Sequence, residues 1–225
     1  MIRVARFVPI LLLIFPRSGR GAPCGASEAS GPAEAIAARL SDRDPDGAIA
    51  LGEEATRRCE SSAVWLSLGK AYGAKARVAS LGSRMHFARK CKAAFVRSVA
   101  LDPQNIDARI ALFTFLLEAP GIAGGSLSTA RREAEQIERL DSGRAHRVLG
   151  MLAIREKEFP KAEAELQLAL AASTDDRDRA DVQCQLATAY ERLGKRAEAI
   201  AALREALRLE PANSPARKAL ERLGE

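Results

Sequence analysis

Apolar and small residues recur every three or four positions along most of residues 33–223, and short turn signals cut this pattern into paired segments. Trp65, Leu68, Gly69 and Tyr72 share one side of a helix, and Cys91, Phe95 and Ser98 share one side of the next. Further along, Leu149 and Gly150 precede Ala162, Leu166 and Ala169, while Leu186, Ala187 and Tyr190 precede Ala199, Leu203 and Ala206. In both later pairs the small residue of the first helix stands twelve residues before that of the second, Gly150 to Ala162 and Ala187 to Ala199. Equal spacing predicts a repeated helix pair. Two antiparallel helices approach closely only where each offers Gly or Ala, with large side chains filling the flanks. Pro103, Gly194 and Pro211 then punctuate the pairs.

A more degenerate pair comes earlier. Pro32 opens a helix to about Leu40, Asp44-Pro45-Asp46-Gly47 turns the chain, and Ala48, Ala55 and Cys59 line a returning helix. The pattern therefore predicts five units, near 33–60, 62–105, 106–141, 143–175 and 180–212. A last helix over 214–223, begun by Asn213-Ser214-Pro215 and ended by Gly224, would cap the apolar face that the fifth unit leaves open.

Trp65, Leu68, Gly69 and Tyr72 reproduce W-x2-L-G-x2-Y, and Cys91, Phe95, Ser98 and Pro103 follow as the small, aromatic, small and stop residues of a second helix. This resembles the tetratricopeptide repeat. The resemblance implies an all-α superhelix, an α-solenoid of about five helix pairs plus a C-terminal capping helix, with first helices lining a concave side. It also implies a protein-interaction scaffold, without naming the partner.

Composition agrees with helices, since aromatics are 4% of the 225 residues. The first residues carry a different signal. Arg3 and Arg6 precede the apolar run Phe7 to Phe15, and small residues lead to Cys24-Gly25-Ala26, so residues 1–26 read as a signal peptide cleaved after Ala26, with 27–32 a short linker. Cleavage after Ala22 is a poorer fit because Pro23 would follow the cut, and Pro23 also opposes a lipid-modified Cys24. The apolar run is far short of the ~20 residues that span a bilayer. The expected location is periplasmic or secreted, with a lipoprotein or an uncleaved anchor as the lesser alternative. Removing the signal removes four arginines and lowers the net charge from +6 to +2, so the basic composition gives no support for a nucleic-acid partner. Of the cysteines left, Cys59 and Cys91 fall near neighbouring helix ends, where a disulfide and two buried thiols are both open readings.

The second unit departs from the repeat. Gly69 and Cys91 are 22 residues apart, ten more than the twelve seen elsewhere, which places an insertion between or along these helices. Residues 61–101 hold no acid, while Lys70, Lys75, Arg77, Arg84, Arg89, Lys90, Lys92 and Arg97 supply eight positive charges. The basic stretch 70–97 suits an anionic envelope lipid, an acidic polysaccharide or an acidic protein segment, or else is a solvated face paired with Glu53, Glu54 and Glu60. The third unit carries its own insert, Glu118 to Ser126, whose glycines precede a helix beginning near Ser128 or Thr129 and present N–H groups to an anion or simply let the helices splay.

Helical spacing selects the candidate groove residues: Lys70 on the second unit, Asp107, Thr114 and Glu118 on the third, Arg144, Arg147, Met151 and Arg155 on the fourth, and Gln185, Thr188 and Arg192 on the fifth. Arginines framing apolar residues suit a peptide or protein segment with apolar anchors and a carboxylate, or pair with neighbouring acids. Catalysis is not expected. Ser67-Leu68-Gly69-Lys70 matches Ser-x-x-Lys but lies inside the repeat signature, and His146 occupies the place where the repeat has its Trp. No cofactor and no metal site is expected.

Overall fold

The computed structural model describes residues 22–23 and 26–224. Among these described residues eleven α-helices follow one another: α1 (Ala26–Ser41), α2 (Pro45–Arg58), α3 (Ser62–Val78), α4 (Leu81–Leu101), α5 (Ile106–Glu118), α6 (Leu127–Leu140), α7 (Ser142–Glu156), α8 (Phe159–Ala172), α9 (Asp176–Arg192), α10 (Arg196–Leu209) and α11 (Ser214–Leu223). Two short stretches, β1 (Ala22–Pro23) and β2 (Cys59–Glu60), pair in parallel beside the α2–α3 junction. The signal-peptide reading and Cys24 lie outside the described residues. Residues 27–32, expected as a linker, belong to α1.

Polar residues set most helix starts. Asp44 accepts from Gly47 N, Asn105 from Ala108 N, Asp141 from Arg144 N, Asp175 from Asp178 N and Asn213 from Ala216 N, each satisfying a donor that has no partner within its helix. Gly194 and Gly224 follow helix ends with φ of 76° and 77°, the left-handed conformation that costs glycine least.

Consecutive helices pack as antiparallel pairs, and first helices also touch first helices, α3 with α5, α5 with α7 and α7 with α9. The chain is an α-solenoid. Glycines sit where the pairs come closest: a Cβ on Gly69 would lie 2.5 Å from the Phe95 ring, and one on Gly150 would lie 2.5 Å from Leu166 Cγ. The central core runs through Leu68, Phe95, Phe113, Leu116, Ile137 and Val148. Smaller cores close each end, Ile36 with Ala48 and Val64 at one and Leu203 with Ala216 and Leu220 at the other.

The ten extra residues of the second unit lengthen its helices and not its loop. α3 has 17 residues and α4 has 21, joined by Ala79 and Ser80 alone. Measured from the seam residues, α3 gains three residues and α4 seven over the fourth pair, about 4.5 Å and about 10 Å of extra helix at 1.5 Å per residue.

Candidate interaction surface

The first helices α5, α7 and α9 place part of the expected groove around one cavity of about 520 Å³. Ile110 and Thr114 from α5 and Arg144, Arg147, Val148 and Met151 from α7 line one side. The other side is the end of α8 and the start of α9, from Ala169 through Ser173 and Asp175 to Asp178. Thr114, Arg144, Arg147 and Met151 of the candidate groove residues line this one cavity. Lys70, Asp107, Glu118, Arg155, Gln185, Thr188 and Arg192 do not line it.

The cations in this cavity already have acids. Arg144 donates to Asp107 at 2.5 Å, with the two side chains 46% and 61% exposed. Arg147 is more enclosed and spans two aspartates of α9, Asp178 and, at 3.0 Å, Asp181. Ser173 Oγ donates to Asp178 at 2.7 Å and holds that carboxylate in place. An exposed pair is worth about 0–1 kcal/mol, because solvent screens it and two long side chains lose freedom. Arg144 can therefore exchange Asp107 for an incoming carboxylate at little cost, whereas Arg147 fixes α9 against α7. Among the described residues Arg155 and Arg192 are exposed and make no ion pair. Thr188 spends its hydroxyl on Cys184 O, and Gln185 Oε1 is buried without a hydrogen-bond partner.

The basic stretch divides in two. Lys75 reaches Asp46 at 2.6 Å, Lys90 reaches Glu53 at 3.1 Å and Arg97 pairs with Glu60, so the α2-facing side is neutralised by α2 and the β2 stretch that follows it. Lys90 also lies over the Tyr72 ring, whose hydroxyl donates to Glu53 at 2.5 Å. That hydroxyl, more than Lys90, holds the Glu53 carboxyl below its ordinary pKa. Arg77, Arg84 and Arg89 stay exposed with no ion pair among the described residues, although Arg77 acts at longer range on Glu118.

The Gly-rich insert is not an anion cradle. Its N–H groups are spent internally, Ala123 N and Gly125 N on Pro120 O, Gly124 N on Gly121 O and Ser126 N on Leu116 O. Gly125 is required because a Cβ would lie 1.8 Å from Ala119 O. The loop instead offers an acceptor: Lys92 donates to Gly124 O at 2.7 Å, pinning the insert to α4. Cys91 and Cys184 are free while Cys59 is disulfide-bonded, so a Cys59–Cys91 bridge is not made. Burial pushes the Cys91 thiol up to about 12.

Residues 141–211 match the tetratricopeptide-repeat family model. No curated protein matches the chain in sequence. Among solved structures the chain is similar to a thermophilic tetratricopeptide-repeat protein of Thermus thermophilus, at 19% identity and a TM-score of 0.68, covering 87% of this chain and 98% of that one. It is also similar to MamA of Desulfovibrio magneticus, at 15% identity and a TM-score of 0.54, covering 85% and 99%. A third similarity, at 15% identity and a TM-score of 0.68, is to a chain of the APC/C hetero-tetramer Cut9-Hcn1, covering 88% of this chain and 37% of that one. At these identities the likeness is one of fold.

Proposed function

We propose, from the tetratricopeptide-repeat match over residues 141–211 and the solenoid fold shared with solved tetratricopeptide-repeat proteins, that the chain is a non-enzymatic scaffold holding a protein segment in its concave groove, in the periplasm or outside the cell. The observation that carries the reading is the cavity between α5, α7 and α9, where Ile110 and Met151 supply apolar contacts beside the exchangeable Arg144. An apolar side chain of the partner seats against Met151. A carboxylate one or two residues away displaces Asp107 from Arg144 and takes the guanidinium bidentately. Arg155, further along α7, extends the cationic track.

The test must spare Arg147, because removing it would leave Asp178 and Asp181 facing each other and loosen α9. The informative variant is Met151→Gln with Arg155→Glu, which touches no ion pair described here. Capture of the partner from its own envelope should fall at least tenfold while far-UV circular dichroism stays unchanged. Undiminished capture by a folded variant would remove the groove from the account.

A further inference from the structure

The overhanging end of the α3–α4 hairpin is built unlike the rest of the surface. Six large apolar side chains are exposed among the described residues, and four of them, Val78, Leu81, Val96 and Ile122, belong to this hairpin and the loop pinned to it. Val78 and Leu81 flank the two-residue turn at 72% and 83% exposure. The first turn of α4 is exposed all round, through Leu81, Gly82, Ser83 and Arg84, and beyond it the exposed positions His86, Arg89, Ala93, Val96 and Ala100 follow in steps of three and four along one helix face. That face contains no acid. The cations that could serve solvent pairing have gone to the α2 side, where Asp46, Glu53 and Glu60 meet them, while Arg84 and Arg89 remain among the apolar residues.

We propose that this hairpin docks the protein onto an anionic phospholipid surface, with Val78 and Leu81 entering the headgroup boundary and Arg77, Arg84 and Arg89 on lipid phosphates. The occupant follows from charge and polarity together. A soluble acidic partner or polysaccharide would use the arginines but has no reason to want two nearly fully exposed aliphatic tips, and a neutral apolar partner has no reason to want an acid-free face. An interfacial membrane contact uses both, apolar area for the acyl boundary and about 1 kcal/mol for each Lys or Arg near anionic lipid. The contact is peripheral, since no helix among the described residues is long and apolar enough to cross a membrane. The overhang gives the tip room to reach a flat surface ahead of the neighbouring pairs. The loop Gly121–Ala123, held to α4 through Lys92, adds Ile122 beside Val96 and broadens the apolar footing.

The inference is independent of the groove. The test uses the full chain with Leu81→Trp, because emission from the tip reports insertion there and nowhere else, Trp65 being packed into the core cluster. Vesicles of phosphatidylglycerol with phosphatidylcholine should shift that emission to the blue, and vesicles of phosphatidylcholine alone should not. Raising ionic strength from 0.1 M to 1 M, which shortens screening from about 10 Å to about 3 Å, should weaken binding. Each of Arg84→Glu and Arg89→Glu should cost about fivefold or more in vesicle affinity, and Val78→Ser with Leu81→Ser about tenfold. All four positions are exposed, so the variants keep the fold, and Met151→Gln with Arg155→Glu should leave vesicle binding unchanged. An unshifted tip on anionic vesicles, an equal shift on neutral ones, or equal affinity for soluble heparin that ignores Val78→Ser with Leu81→Ser would each overturn the proposal.

Discussion

Gly69 and Gly73 lie one turn apart on α3 and give the seam between paired helices an internal control. A Cβ at Gly69 would sit 2.5 Å from two atoms of the Phe95 ring, about 1 Å inside van der Waals contact, whereas one at Gly73 would meet only Cys91 Sγ at 3.4 Å. Replacing either glycine by alanine in a helix interior gains about 0.8–1.0 kcal/mol of propensity. At Gly73 that gain stands nearly alone, so Gly73→Ala should stabilise by up to about 1 kcal/mol. At Gly69 overpacking of about 1–3 kcal/mol opposes it, so Gly69→Ala should be neutral to about 2 kcal/mol destabilising. With a urea slope of about 2 kcal/mol per M, the two midpoints should stand about 0.5–1.5 M apart. Within a Phe95→Leu background the gap between the two alanine variants should narrow, because the smaller side chain leaves room for the methyl. Urea unfolding followed by far-UV circular dichroism reads both variants in both backgrounds. If Gly69→Ala stabilises as much as Gly73→Ala, the close approach at Gly69 is wrong and so is the physical basis of the repeat.

Ser98 is fully buried, donates to Ser62 O at 2.7 Å and meets Ser62 Oγ at 3.0 Å, so Ser98→Ala should cost about 1–3 kcal/mol by leaving Ser62 short of a partner, again read by urea unfolding. Glu53 has a folded pKa lowered below 4.5, chiefly by the Tyr72 hydroxyl. Its contribution to stability is therefore complete above the unfolded value and disappears as pH falls through the folded one. Unfolding free energy measured from neutral to acid pH should drop less steeply for Glu53→Gln than for the parent. Cys91 is 3% exposed with its thiol pushed up to about 12, so an alkylating reagent at neutral pH should modify it only after denaturation.

The repeat was readable because its cause is local. Gly150 and Ala162, twelve residues apart, mark where two helices must touch, and Asn213 and Asp44 mark helix starts through bonds spanning three residues. Placement of the insert was not readable, because the α3–α4 turn is Ala79 and Ser80, with no proline or glycine to show that the helices simply continue. Half of the cavity was missed for a different reason. Ala172, Ser173 and Asp175 come from the end of a second helix and the turn after it, while helical spacing pointed only to first helices. The capping Asp175 was the signal that could have drawn attention to that turn. Ion-pair partners lie furthest from what sequence supplies. Arg147 meets acids 31 and 34 positions away, and only the stacking of α7 on α9 decides that both aspartates face one guanidinium. That same stacking turns Arg147 from a free ligand group into a strut and leaves Arg144 as the exchangeable cation.

The central claim is that a protein segment occupies the cavity lined by Thr114, Arg144 and Met151. Site-specific photo-crosslinking in the native cells tests it most directly, with the photoreactive group placed at Met151 in the cavity or at Leu168, an exposed position outside it. The account predicts a discrete protein adduct from Met151 and none from Leu168. Adducts from Leu168 alone, or from neither position, would contradict it.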